Sequence, residues 1–385
     1  MSGEVRLPGG FRAAGVTAGL KPSGSPDLAL VVNDGPDHHC AGVFTSNRVE
    51  AAPVTWSRQV LADGRVDAVV LNSGGANACT GAQGFQDTHR TAERVAETLH
   101  LSAADVAVCS TGLIGELLPM DRLLPGVAAC ARALAADGHL AAATAIMTTD
   151  TVPKQASSGG PGWSVAGMAK GAGMLAPALA TMLVVLTTDA VVEGQALDAV
   201  LRGATSLTFD RIDSDGCQST NDTVLLLASG ASGVHVSPDD LALAVTGVCA
   251  DLARQLIADA EGARHDIEVE VRSAASVDDA LEVARSVARS NLFKCAVFGN
   301  DPNWGRVLAA VGTTRAAFEP DRLDVSMNDV QVCRAGGVGA ARSEVDLTGR
   351  EVHLVVDLHA GDETATVWTN DLTHDYVEEN SAYST

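Results

Sequence analysis

Residues 168–190 read MAKGAGMLAPALATMLVVLTTDA. A loop rich in Gly, Ala and Pro runs into Met182-Leu183-Val184-Val185-Leu186, five apolar residues in succession. A strand with one wet face alternates apolar and polar residues. A short unbroken apolar run bounded by turn formers reads as a strand covered on both faces. The stretch 171–188 carries no charge and reaches the length at which a membrane-spanning helix is considered. Gly171, Gly173, Pro177 and Thr181 interrupt it, so it reads as a loop followed by a buried strand. Ala180-Thr181 is the seam between the two.

Other short β-rich runs recur at 28–32, 68–71, 106–109, 224–227, 267–271, 308–311 and 353–358, many of them apolar on both faces. Amphipathic helical patterns lie between them at 87–99, 246–264 and 276–289, the last opened by Ser276 with Asp279 three residues on, a variant of the capping box. Strand and helix alternate throughout, so the expected class is α/β, a layered sandwich of β-sheets packed between α-helices. No Pro/Ser-rich linker, charge block or repeat divides the chain into modules.

Composition narrows the function classes. The 385 residues carry 26 Lys and Arg against 48 Asp and Glu, a net charge of −22, and no basic cluster reverses that field locally. Nucleic acid is therefore not an expected partner. Eight cysteines, Cys40, Cys79, Cys109, Cys130, Cys217, Cys249, Cys295 and Cys333, include no C-x-x-C pair and no zinc-like spacing with histidine. They read as free thiols buried as small hydrophobes in a reducing compartment. The first fifteen residues contain no apolar signal core. The expectation is a soluble, cytoplasmic protein, with neither membrane nor metal involved.

Several short stretches could carry chemistry. A threonine hydroxyl is a weak nucleophile unless a base takes its proton, and the α-amine of an N-terminal threonine can be that base. Its ordinary pKa of about 7.7–8.0 suits the task, whereas an amide nitrogen does not. Thr181 would gain such an amine only by cleavage after Ala180. Taken alone, Thr181 reads more readily as the first residue of a strand. Ser110-Thr111-Gly112-Leu113-Ile114-Gly115 follows the run 106–109 and could present a hydroxyl and backbone N–H groups as an oxyanion hole, or be an ordinary turn. The turn at 72–77, NSGGAN, has the same character, and neither is a P-loop. Residues 213–222, DSDGCQSTND, lack the acids of a calcium loop and read as a polar turn before a strand. Glu261-Gly262 reads as a helix end, DPNWGR at 301–306 as a tight turn, and the polar end 377–385 as frayed by default.

Together, STGLIG (110–115), IMTTD (146–150), MAKGAGMLAPALATML (168–183), DPNWGR (301–306) and EENSAYST (378–385) resemble the ornithine acetyltransferase, or glutamate N-acetyltransferase, family of arginine biosynthesis, the ArgJ family. The resemblance covers essentially the whole chain, and its most specific block is K-G-x-G-M-x-x-P-x-x-A-T-M-L. It implies a precursor that cleaves itself at Ala180-Thr181 into segments 1–180 and 181–385, which stay associated as an α2β2 heterotetramer. It also implies that Thr181 takes an acetyl group from N-acetylornithine and passes it to glutamate by ping-pong transfer, with acetyl-CoA a possible further donor and no cofactor. On the family's pattern Thr111 and Gly112 fall on the oxyanion hole. Thr148, Lys170, Thr181, Glu261, Asn380 and Thr385 fall on substrate-binding positions, which implies an ordered C-terminal tail. Lys170 suits an α-carboxylate and Glu261 an ammonium. An N-terminal-nucleophile amidohydrolase or aminopeptidase would share the self-cleavage and the acyl-enzyme. A non-catalytic metabolite-binding protein would need neither.

Overall fold

A computed structural model describes residues 5–175 and 182–382. Ala180, Thr181 and Thr385 lie outside the described residues.

Alternation along the strands explains the architecture. In the strand Leu28–Asn33, Ala29 and Val31 face one core while Leu28, Leu30 and Val32 face another. The strands Ala68–Asn72 and Val106–Ser110 divide their side chains in the same way. With Phe11–Val16 they form a four-stranded sheet in the order 11–16, 28–33, 68–72, 106–110, whose last pair is parallel. A second, five-stranded sheet has the order 39–44, 223–228, 183–188, 163–170, 154–160. Its residues Met168, Leu183, Val185, Leu225 and Leu227 share one core with Ala29, Val31, Val69 and Leu71 of the first sheet. The two sheets therefore lie face to face. Helices Gly81–Leu99 and Met120–Arg132 cover the outer face of the first sheet, and Gly194–Leu207 and Pro238–Ala258 cover that of the second. The result is four layers, helix, sheet, sheet, helix, and the unbroken apolar runs follow from it, because every central strand is covered twice.

The remaining chain forms a six-stranded mixed sheet in the order 337–338, 330–334, 324–327, 351–357, 266–274, 363–370. Helices Val277–Ala288, Asn291–Phe298 and Trp304–Val311 cover only one face. The expected class, α/β with sheets layered against helices, is what the molecule has.

Local expectations fare differently. The apolar run 308–311 is not a strand. It is the second half of the helix Trp304–Val311, whose Val307, Ala310 and Val311 recur at helical spacing and bury together. The helix expected at 246–264 spans Pro238–Ala258, started by Ser237, whose side chain accepts from the Asp240 N–H, and ended at Asp259. By length and composition this helix could cross a membrane, but its Leu241, Val245, Val248, Leu252 and Leu256 are packed on the second sheet. Ser276 does cap its helix, accepting from the Asp279 N–H at 3.1 Å, whereas the Asp279 carboxylate accepts from Ala317 and does not return to the cap. All eight cysteines are free; five are buried as expected, and Cys79, Cys217 and Cys295 are exposed.

Candidate functional site

The parallel ladder between Ala68–Asn72 and Val106–Ser110 continues one step beyond the strands, where the Thr111 N–H donates to the Asn72 carbonyl at 3.0 Å. That bond occupies the Thr111 amide and leaves its hydroxyl. The side chain is buried, and Oγ1 has no hydrogen-bond partner among the described residues. Gly112 then turns the chain with φ +127°, and a Cβ there would lie 2.9 Å from the Gly75 nitrogen. Both the backbone angle and the close approach call for glycine. The turn is held from several sides: Ala76 N–H donates to Leu113 O at 2.9 Å, and Asn221 Nδ2 donates to Ala76 O at 2.6 Å and Ser110 O at 2.8 Å. A hydroxyl and an adjacent amide are thus fixed at the carboxyl ends of two parallel strands, where α/β sheets place ligands.

Asp150 organises the next part. It accepts from the Thr148 N–H at 2.9 Å, the Gly171 N–H at 2.6 Å and Lys154 Nζ at 2.7 Å, and Lys170 Nζ stands 3.9 Å away. Burial alone would raise its carboxyl, but Lys170, Lys154 and these hydrogen bonds bring it down to about 2. Lys154, fully buried, also donates to Asp259 at 2.5 Å. Lys170 ends the strand Trp163–Lys170 and is 1% exposed. Burial lowers its pKa first, Lys154 lowers it further, and Asp150, Glu261 and Asp222 oppose the shift.

Glu261 lies in the turn beyond the helix Pro238–Ala258 and not in its last turn. Its N–H donates to Ala172 O at 3.0 Å, and its carboxylate sits directly over Gly173, where a Cβ would come within 2.6 Å of Oε2. The C-terminal helix His374–Ala382 supplies Asn380, whose Nδ2 donates to Glu261 Oε2 at 2.9 Å. Thr373 anchors that helix by donating to Gly262 O at 2.7 Å. The described tail is therefore docked, against the default of fraying.

Thr111, Gly112, Thr148, Lys170, Glu261 and Asn380 all line one cavity of about 340 Å³. Every site residue read from the sequence that falls among the described residues is in this lining. DPNWGR is not: Asn303 caps the helix Trp304–Val311, accepting from the Arg306 N–H at 3.3 Å, in the core of the third sheet.

Three neighbours went unread. Lys21 lines the cavity from a loop of the first sheet, and nothing in Leu20-Lys21-Pro22 marks it as functional. Asn221 belongs to the turn 213–222, which read only as polar. Asp222, fully buried, accepts from the Met182 N–H at 3.0 Å, and among the described residues its Oδ2 has no hydrogen-bond partner. Burial pushes its carboxyl well above the usual range, against the Met182 hydrogen bond and Lys170. A buried acid directly before a strand was the available signal. Among the described residues no cluster of three His, Cys, Asp or Glu could hold a metal.

The arrangement offers two hydroxyl or amide donors for a developing oxyanion, two lysines for carboxylates and one carboxylate for an ammonium, around a space for a small molecule. Known proteins resemble this chain over almost its whole length. The protein named arginine biosynthesis bifunctional protein ArgJ from Streptomyces coelicolor is 67% identical over 381 residues, covering 99% of this chain and all of that one. The protein of the same name from Mycobacterium tuberculosis is 58% identical over 389 residues, covering 99% of this chain and 96% of that one. A crystal structure described as ornithine acetyltransferase complexed with ornithine, from Mycobacterium tuberculosis, is 61% identical and covers 44% of this chain and 92% of that chain, with a TM-score of 0.44. The ArgJ family profile matches residues 12–385, and this chain belongs to the ArgJ family.

Proposed function

We infer that this chain is an ornithine acetyltransferase of arginine biosynthesis, moving an acetyl group from N-acetyl-L-ornithine to L-glutamate. The observation that carries the site assignment is the convergence of Thr111, Gly112, Thr148, Lys170, Glu261 and Asn380, from separate segments of the chain, on one cavity.

The chemistry runs in two stages with one nucleophile. In the first, Thr181 Oγ attacks the Ala180 carbonyl carbon, the peptide nitrogen leaves as the α-amine, and water hydrolyses the resulting ester. Segments 1–180 and 181–385 remain associated, assembling as an α2β2 heterotetramer. In the second, the freed α-amine takes the Thr181 hydroxyl proton as the oxygen attacks the acetyl carbonyl of N-acetylornithine. The Thr111 hydroxyl and Gly112 N–H hold the oxyanion, and ornithine leaves with the proton. The amine of glutamate then attacks the acetyl-threonine ester and regenerates the enzyme. Lys170 pairs with the α-carboxylate common to both substrates, Glu261 with the side-chain ammonium of ornithine, and Thr148, Asn380 and Thr385 complete the contacts. The relatives are called bifunctional, which supports a second activity, acetylation of glutamate from acetyl-CoA. No organic cofactor or metal enters this scheme, and the reaction belongs in the cytoplasm.

Mass spectrometry of the active protein tests the reading. Two polypeptides divided between Ala180 and Thr181 are expected, as is a Thr181→Ala variant that stays whole and transfers no acetyl group. Full activity from an uncleaved chain overturns it. Acetate release from N-acetylornithine that glutamate does not alter would instead identify a hydrolase.

A further inference from the structure

One cavity that serves both half-reactions must admit side chains of opposite charge in turn. Ornithine ends in an ammonium and glutamate in a carboxylate, while both carry an α-carboxylate. Glu261 favours the ammonium and disfavours the glutamate side chain by the same Coulomb energy. With Lys170 given to the α-carboxylate, the acceptor needs another cation. The cavity contains one in Lys21.

We propose that Lys21 recognises the side-chain carboxylate of the acyl acceptor, so that Lys21 and Glu261 sort glutamate from ornithine by opposite charge within a single cavity. The inference rests on the acetyl-transfer reading above.

The position is built for the task. Buried Asp27 accepts from the Ala18 and Leu20 N–H groups at 2.6 Å each and from the Lys21 N–H at 3.1 Å, which fixes the loop. Lys21 Nζ donates to Pro26 O at 3.0 Å and Met147 O at 2.5 Å. These carbonyls aim the ammonium without neutralising it, and an ammonium has a third N–H to offer. Among the described residues no carboxylate lies within ion-pair distance of Lys21. Lys154, by contrast, is matched by Asp150 and Asp259. Partial burial lowers the Lys21 pKa and Lys170 lowers it further, with Asp27 and Asp150 opposing. The negative charge of a ligand carboxylate in the cavity would offset both effects. Met147 adjoins Thr148, so the segment that aims Lys21 also lines the substrate space.

The test uses the self-cleaved, full-length enzyme with Lys21→Met, which keeps the apolar stem and removes the charge. Single-turnover release of ornithine from N-acetylornithine reads the first half-reaction, and acetylation of glutamate or of neutral glutamine reads the second. We expect kcat/KM for glutamate to fall at least tenfold, the preference for glutamate over glutamine to fall in parallel, and ornithine release to change less than twofold. Lys21→Arg should recover part of the glutamate rate. Equal losses in both half-reactions, or an unchanged preference for glutamate over glutamine, overturn the role of Lys21. A wild-type enzyme that releases ornithine yet acetylates neither acceptor overturns the transfer reading itself, a different result.

Discussion

The face-to-face sandwich and the C-terminal sheet both bury apolar strands, but they treat charge differently. In the sandwich, strands such as Thr223–Ala228 are covered on both sides, so charge enters only at strand ends. Asp150, Lys154, Lys170 and Asp222 gather there, all nearly or fully inaccessible. In the C-terminal sheet, Asp266–Ala274 buries Ile267, Val269 and Val271 and turns Glu268, Glu270 and Arg272 outward. Arg272 pairs with Glu270 at 2.6 Å, and His353 with Glu270 at 3.0 Å, on a face that water reaches. Two coverings make a low-dielectric end in which a few charges act strongly on one another, and one covering makes a scaffold face on which charges are nearly inert.

Replacing one cation in each region gives the sharpest contrast. Lys154→Met leaves Asp150 and Asp259 facing a buried space without their shared partner, and a loss of about 3–5 kcal/mol is expected from urea unfolding. Arg272→Met removes a half-exposed partner and should cost less than about 1 kcal/mol. The contrast should fade in acid. The Asp150 carboxyl is held near 2, below its ordinary value of 3.8, so its contribution is complete above about pH 4 and is lost as pH falls through 2. Equal destabilisation by the two substitutions at pH 7 would mean that double covering does not set the strength of these pairs.

Thr111→Ala asks whether the sandwich end is tuned for chemistry or for stability. The hydroxyl is buried with no partner among the described residues. Removing it should leave the melting temperature within a few degrees of wild type, since no hydrogen bond between described groups is broken. As an oxyanion donor it should matter far more to rate, lowering kcat by about 10²–10³. Steady-state transfer assays beside thermal unfolding separate the two effects, and a lower melting temperature with kcat intact would make Thr111 a packing residue.

The same two regions show what can be read without coordinates. Period and run length carried the layers, because a five-residue apolar stretch such as 182–186 has few other homes than a doubly covered strand. The candidate site residues Thr111, Gly112, Lys170 and Glu261 stand out in the sequence only through the resemblance of whole motifs, since each alone is compatible with an ordinary turn or helix end. Lys21 and Asp222 were missed for a physical reason. Their placement is set by segments far away in sequence, Met147 for the first and Met182 for the second. The strand wrongly expected at 308–311 failed in another way: four apolar residues fit either period, and the deciding feature was the Asn303 cap upstream.

That cap supplies the smallest and most discriminating contrast. DPNWGR is as much part of the family pattern as STGLIG, yet it caps a helix in the third sheet's core while STGLIG lines the cavity. Asn303 accepts from the Arg306 N–H at 3.3 Å and donates to Asp301 at 2.9 Å. Asn303→Ala should therefore cost about 1 kcal/mol of stability, the usual loss for a helix N-cap, and leave acetyl transfer within twofold. A kcat lowered tenfold or more with an unchanged melting temperature would tie the singly covered sheet to catalysis and break the division of labour between the two regions. The expected opposite, lower stability with intact kcat, would place this motif's importance in folding, where a single helix start must be specified within a segment whose apolar pattern fits helix and strand alike.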